Sequence, residues 1–113
     1  MQESGREIYA LTSDIRYVAL YRGGELVTSQ KDGLSAASDA GSDQYEELLV
    51  NPTLLKLVQQ RGNIDCGGAG FVIVGYGNFL QLVIALDDGH VSVCFEKSAN
   101  PIGFVDPIRA ICQ

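Results

Sequence analysis

The chain has 113 residues, a hydrophobic fraction of 46% and a formal net charge of −6. That length holds a single domain, 1–113, around one core, and that apolar fraction excludes a disordered chain. Nucleic acid and anionic membranes demand a basic patch, whereas Arg6, Arg16, Arg22, Lys31, Lys56, Arg61, Lys97 and Arg109 are scattered, so neither is expected as a partner.

No apolar run reaches the roughly 20 residues of a membrane helix. The longest strong one, 80–86, ends at Asp87-Asp88. The polar, acid-bearing residues 1–7 do not read as a signal peptide. Three cysteines, Cys66, Cys94 and Cys112, form an odd set without close spacing. That pattern fits free thiols in a reducing compartment, so a cytoplasmic protein is expected.

Ser4 and Glu7 have the spacing of a capping box for a short helix reaching Tyr9 and Leu11. A strand follows over 16–21, with Tyr17, Ala19 and Tyr21 on one face and Val18 and Leu20 on the other. Gly23-Gly24 marks a hairpin turn, because glycine supplies positive φ without steric cost; the return strand is 25–30. Residues 32–42 are small and polar and read as a surface loop. Asp43 with Glu46 reads as a helix start, with Tyr45, Leu48 and Leu49 on one face. Asn51-Pro52 interrupts it: Asn51 suits an N-cap and Pro52 the first turn of a second helix. That helix is expected to run to about Arg61 and stop at Gly62. Leu54, Leu55, Leu57 and Val58 spread around more than half of it, beyond the apolar arc of about 100° that one sheet needs. The surplus reads either as a second surface to bury or as a face covered by the N-terminal helix or the loop.

Residues 63–70 are Gly-rich. Three strands follow, joined by turns at Tyr76-Gly77-Asn78 and Asp87-Asp88-Gly89. The C-terminal stretch is helical, either from Pro101 with a kink at Pro107 or, preferably, with Asp106 as N-cap and Pro107 first. No internal repeat is evident. Short turns between consecutive strands imply antiparallel pairing, and apolar residues on both strand faces imply helices on both faces. The expected fold is therefore α/β: a three-layer α/β/α sandwich with a central five-stranded, mainly antiparallel sheet, in the order α-β-β-α-β-β-β-α.

Catalytic signals are weak. Gly67, Gly68, Gly70, Gly75 and Gly77 invite a phosphate-loop reading, but a dinucleotide fingerprint runs strand, G-x-G-x-x-G, helix. Here Gly68-Ala69-Gly70 precedes a strand and Ile73 stands at the third glycine's place. His90 and Cys94 lie four apart on one strand, about 13 Å at strand rise, too far for a catalytic pair. His90 reads as a surface histidine, Cys94 and Cys112 as small core residues, and Cys66 as the one thiol placed to react. Asp87-Asp88 point apart at a hairpin and offer too few oxygens for calcium. No catalytic, cofactor or metal residue is expected, and hence no enzyme.

The strand 69–75 would end its meander and carries no charge, whereas natural sheet edges are usually charged, bulged or covered. An uncharged edge beside an over-apolar helix is what a strand-to-strand homodimer presents. Its expected interface is Leu54, Leu55, Leu57, Val58, Ala69, Phe71, Val72, Ile73 and Val74.

The hairpin over 17–30, the helix ending near Gln59-Gln60-Arg61-Gly62, the meander 70–84 and the segment 86–93 together resemble the roadblock / dynein-light-chain domain, a profilin-like architecture. The resemblance covers nearly the whole chain as a pattern of elements. It implies a non-catalytic homo- or heterodimer, joined through the third strand and second helix, that partners a small Ras-like GTPase or serves as a motor or signalling adaptor. Phe71, Ile73 and residues 54–58 fall at the seam by position. Two features depart from the family. The first helix is short and Asn51-Pro52 breaks the second, so a patch left uncovered would be free for a partner. The rival readings are a structural adaptor without a GTPase and a PAS- or profilin-like small-molecule sensor.

Overall fold

The computed structural model describes residues 2–34 and 38–113. The elements are α1 (Gln2–Tyr9), β1 (Ile15–Arg22), β2 (Glu25–Gln30), α2 (Ala40–Tyr45), a π-helical turn (Glu46–Val50), α3 (Asn51–Asp65), β3 (Phe71–Gly75), β4 (Leu80–Leu86), β5 (Gly89–Phe95), a 3-10 turn (Pro101–Phe104) and α4 (Val105–Cys112). The fold is α/β around a five-stranded, wholly antiparallel sheet in the order β2-β1-β5-β4-β3.

Turn chemistry sets the hairpins. Gly23 and Gly24 take φ of 57° and 83°, the pair of positive angles that a tight two-residue turn requires. Arg22 then pairs with Glu25, and Tyr17 with Gln30. Asp87-Asp88 joins β4 to β5, with Leu86 opposite Gly89. β5 then pairs β1, so the chain closes its sheet in the middle and leaves β2 and β3 at the edges.

Strand alternation gives the sheet two different faces. On one, Val18, Leu20, Leu82, Ile84, Val91, Val93 and Phe95 pack with Ile8 of α1 and with Val105, Ile108 and Cys112 of α4. This is the apolar core. The opposite face carries Tyr17, Gln81, His90 and Ser92, all buried, and Glu47 of the π turn hydrogen-bonds to it.

Helix boundaries differ from those read in the sequence. α1 begins at Gln2, which puts Ser4 and Gly5 inside it. Of the stretch read as a loop, 35–37 lie outside the described residues and Ala40 already opens α2. Asp39, not Asp43, caps that helix: its Oδ1 accepts the N–H of Gly41 at 2.8 Å and that of Ser42 at 3.4 Å. Asn51 is no N-cap, having helical angles and no side-chain capping bond, and the helix runs through it. The π turn explains how Pro52 is tolerated. Proline clashes with the carbonyl four residues back, and a wider turn just before it opens that space. The Asn51 N–H accordingly bonds the Glu46 carbonyl, five residues back.

α3 also passes Gly62 and stops at Asp65, where Gly67 and Gly68 take positive φ. The Gly62 carbonyl accepts the N–H of both Cys66 and Gly68 at 3.0 Å. Gly62 is glycine because the chain doubles back over it: a Cβ there would lie 2.6 Å from the Gly68 carbonyl oxygen. At the other end of the chain, Asn100 caps the 3-10 turn and α4 starts at Val105, so Asp106 and Pro107 sit in its first turn. Cys94 and Cys112 are buried and Cys66 is exposed.

At Gly89 the backbones of β1 and β5 approach so closely that a Cβ would fall on the Tyr21 carbonyl oxygen. Gly89→Ala should therefore part the central strand pair, costing roughly 2–4 kcal/mol. A thermal melt should show Tm lowered by about 10 °C or more; an unchanged Tm would mean that the strands separate there at little cost.

Candidate functional site

Strand parity alone places Tyr17 of β1, Gln81 of β4, and His90 and Ser92 of β5 on the sheet face beneath the helical rod formed by α2, the π turn and α3. The rod lowers two polar residues onto them, Glu47 and Asn51, both 0% exposed. Glu47 Oε1 accepts from Asn51 Nδ2 at 3.0 Å and lies 2.8 Å from His90 Nε2. Oε2 accepts from the Tyr17 hydroxyl at 3.0 Å and from Gln81 Nε2 at 3.4 Å. Gln81 Nε2 also donates to Ser92 Oγ at 2.6 Å. With the carboxylate as acceptor, His90 is the tautomer that carries its proton on Nε2.

Both oxygens of Glu47 are thus filled twice over, by a phenol, two carboxamides and an imidazole. The carboxamide oxygens Asn51 Oδ1 and Gln81 Oε1 have no hydrogen-bond partner. The cluster is organised around its carboxylate rather than around mutual satisfaction of its amides. Burial, and then the neighbouring Glu47 carboxylate, push the Tyr17 hydroxyl far above the usual phenol range. Glu46, the adjacent acid, turns elsewhere and accepts from the Tyr76 hydroxyl at 2.7 Å. Burial raises its carboxyl above the ordinary value, against the lowering effect of that bond.

His90 corrects the sequence reading: it is 2% exposed rather than at the surface. The nearby Asp87-Asp88-Gly89 turn suggested exposure, but His90 pairs with both Tyr21 and Ala85 in the middle of the sheet, and its side chain points under the rod. Its ring lies against Tyr21, with centroids 5.7 Å apart. It forms part of the floor of a cleft of about 190 Å³ with Tyr21, Pro52, Leu55, Lys56 and Gln59 around it. Nothing local in the sequence marks Glu47, because its partners on the sheet come from 30 to 43 residues away in the chain, and Asn51, read as an N-cap, instead donates to Glu47.

A carboxylate-bound imidazole is half of a catalytic arrangement, and the other half is a nucleophile within its reach. Burial raises the Cys94 thiol well above its ordinary value, and the nearby Glu47 carboxylate adds to the rise, which leaves it unreactive. Among the described residues no group of three or more His, Cys, Asp and Glu side chains could hold a metal ion. What the geometry does is bind helix to sheet.

The residues read as a dimer seam divide into two sets. Leu55 is buried inside the chain and Ile73 packs against the apolar core, so Leu55 is a core residue of this chain. Leu54, Val58, Ala69, Val72 and Val74 are half-buried, Phe71 is 39% exposed and Leu57 58%. The outward side of the rod exposes a second apolar set, Tyr45, Leu48, Leu49, Leu57 and Ile64. α1 does not cover it, because Ile8 packs on the other face of the sheet.

Because the folded-state value of Tyr17 lies above the unfolded value of about 10, its contribution is complete below that pH and is lost as pH rises past it. Stability from urea titrations should fall from about pH 10 upward. Tyr17→Phe should be less stable at pH 7 by roughly 1–3 kcal/mol, the cost of a bond withdrawn from a buried carboxylate, yet should show a shallower alkaline decline. Equal slopes for the two proteins would remove Tyr17 as the source. No family model matches the chain, and neither does any curated protein, so the site is interpreted from its geometry.

Proposed function

We propose that the chain is a non-enzymatic, dimeric regulatory or scaffold module that binds a small Ras-like GTPase and modulates its activity. The observation that carries this reading is an edge strand, β3, without a single charged residue, beside a helix with apolar residues on its outer side. An edge of that kind is a template for another strand, and a second copy supplies one by two-fold symmetry. Leu54, Val58, Phe71, Val72 and Val74 would line the seam. The roadblock-like, three-layer reading draws support from the element order and from helices that pack on both sheet faces.

The outward stripe of the rod remains free in such a dimer and is the surface offered to the GTPase. Five large apolar side chains between 47% and 75% exposed would not be left in water by a chain that works alone. The small-molecule sensor keeps one observation in its favour, the cleft over His90. Native mass spectrometry that finds a small molecule bound to the purified protein would favour that reading over the GTPase one.

Sedimentation velocity at tens of micromolar should show a dimer. Phe71→Lys should weaken it at least about tenfold, or about 1.4 kcal/mol, with unchanged circular dichroism. A monomeric wild type would remove the dimer. A pull-down with a Ras-like GTPase from the same genome, loaded with either nucleotide, should retain one loaded form more strongly; equal or absent retention would overturn the GTPase reading.

A further inference from the structure

The rod carries its buried residues and its outward apolar ones on opposite sides, and the π turn holds a residue of each row, Glu47 and Leu49. Glu47, Asn51, Leu55 and Gly62 are buried, whereas Tyr45 is 62% exposed, Leu49 53%, Leu57 58% and Ile64 75%. In a regular α-helix each residue turns 100°, so a row of residues spaced by four drifts about 40° per step. Over the twelve residues from Tyr45 to Leu57 that drift would amount to about 120°. A π turn rotates less per residue and, over five residues, gives back roughly 80°. Tyr45 and Leu49 thereby come into line with Leu57 and Ile64. The same correction swings Glu47 by about 50°, into line with Asn51 and over His90.

Both rows therefore depend on one backbone feature, and of the two rows only the inner one is bonded to the strands beneath it. Its bonds are directional: Glu47 is fixed by Tyr17, Gln81 and His90 from three different strands. The outer row faces water and exerts no such hold. We infer that Glu47 is a positioning residue for the outward stripe: its buried bonds lock the π turn, and the π turn sets Tyr45 and Leu49 in register with Leu57 and Ile64. That the stripe receives a partner rests on the association reading above; the coupling of Glu47 to its alignment does not.

Pro52 is the competing cause of the π turn, and the two can be separated by NMR. The scalar coupling across the hydrogen bond of the Asn51 amide identifies its acceptor, Glu46 in a π turn and Glu47 in a regular helix. Pro52→Ala should keep the coupling to the Glu46 carbonyl. Glu47→Leu, combined with Tyr17→Phe and His90→Leu so that few buried donors are orphaned, should move it to the Glu47 carbonyl. A switch in Pro52→Ala, or no switch in the triple variant, would overturn the inference. Should the triple variant fail to fold, the Pro52→Ala result decides alone. GTPase retention is measured on the same proteins. A switched coupling with retention unchanged counts against the docking role of the stripe and leaves the positioning role of Glu47 standing.

Discussion

The carboxylate of Glu47 is the point at which helix and sheet are joined. Moving an ionised group out of water costs on the order of several kcal/mol, offset only where good hydrogen bonds replace its hydration. Here four donors converge on its two oxygens within 2.8–3.4 Å. Withdrawing any one leaves part of a buried charge unsupported, so Tyr17, Asn51, Gln81 and His90 stand or fall together. Three of them come from β1, β4 and β5, the three inner strands. One side chain of the rod thus binds all three across the width of the sheet. The other face of the sheet needs no such device, since Ile8, Phe95, Val105 and Ile108 fill it by packing alone.

Pro52 and Glu47 make compatible demands on the same turn. Proline cannot use the bond to the carbonyl four residues back and its ring crowds that carbonyl. Glu47 must be rotated toward the sheet to reach His90. A single extra residue in the turn meets both requirements, and the Asn51 N–H still finds an acceptor in the Glu46 carbonyl. Thr53 adds a bond of its hydroxyl to the Leu49 carbonyl at 2.6 Å, one turn back along the same helix.

Features that depend on near neighbours were legible in the sequence. Gly23-Gly24 gave the first hairpin, the alternation of Val91, Val93 and Phe95 gave a core-facing strand, and the charge-free 69–75 stretch gave an edge, whose strand is Phe71–Gly75. Helix ends were less legible because several residues compete to cap them. Asp39 and Asp43 both suit an N-cap, and the bonds to Gly41 and Ser42 decide between them. Gly62 and Gly67 both suit a stop, and the fold uses the first for close approach and the second for positive φ. The polar cluster was illegible for a different reason. Gln81, His90 and Ser92 alternate with apolar residues as they would on a strand that faces water. Only the placement of Glu47 above them, from more than 30 residues away in sequence, turns that polar face into a buried one.

That polar face also settles which way the rod sits. The rod has apolar residues outward, at Tyr45, Leu49, Leu57 and Ile64, and few inward, with Leu55 the main one. Hydrophobicity alone would roll it over and bury the stripe, since that orientation removes more apolar area from water. On the sheet below, however, such a roll would strand Tyr17, Gln81 and His90 against leucines, without their bonds to Glu47, at the cost that a buried polar group carries when it loses its partner. Polar residues on the sheet thus exclude the orientation that apolar residues on the helix would favour. A face matched to Glu47 in this way gives up some hydrophobic burial and keeps the stripe in solvent, where another protein can reach it.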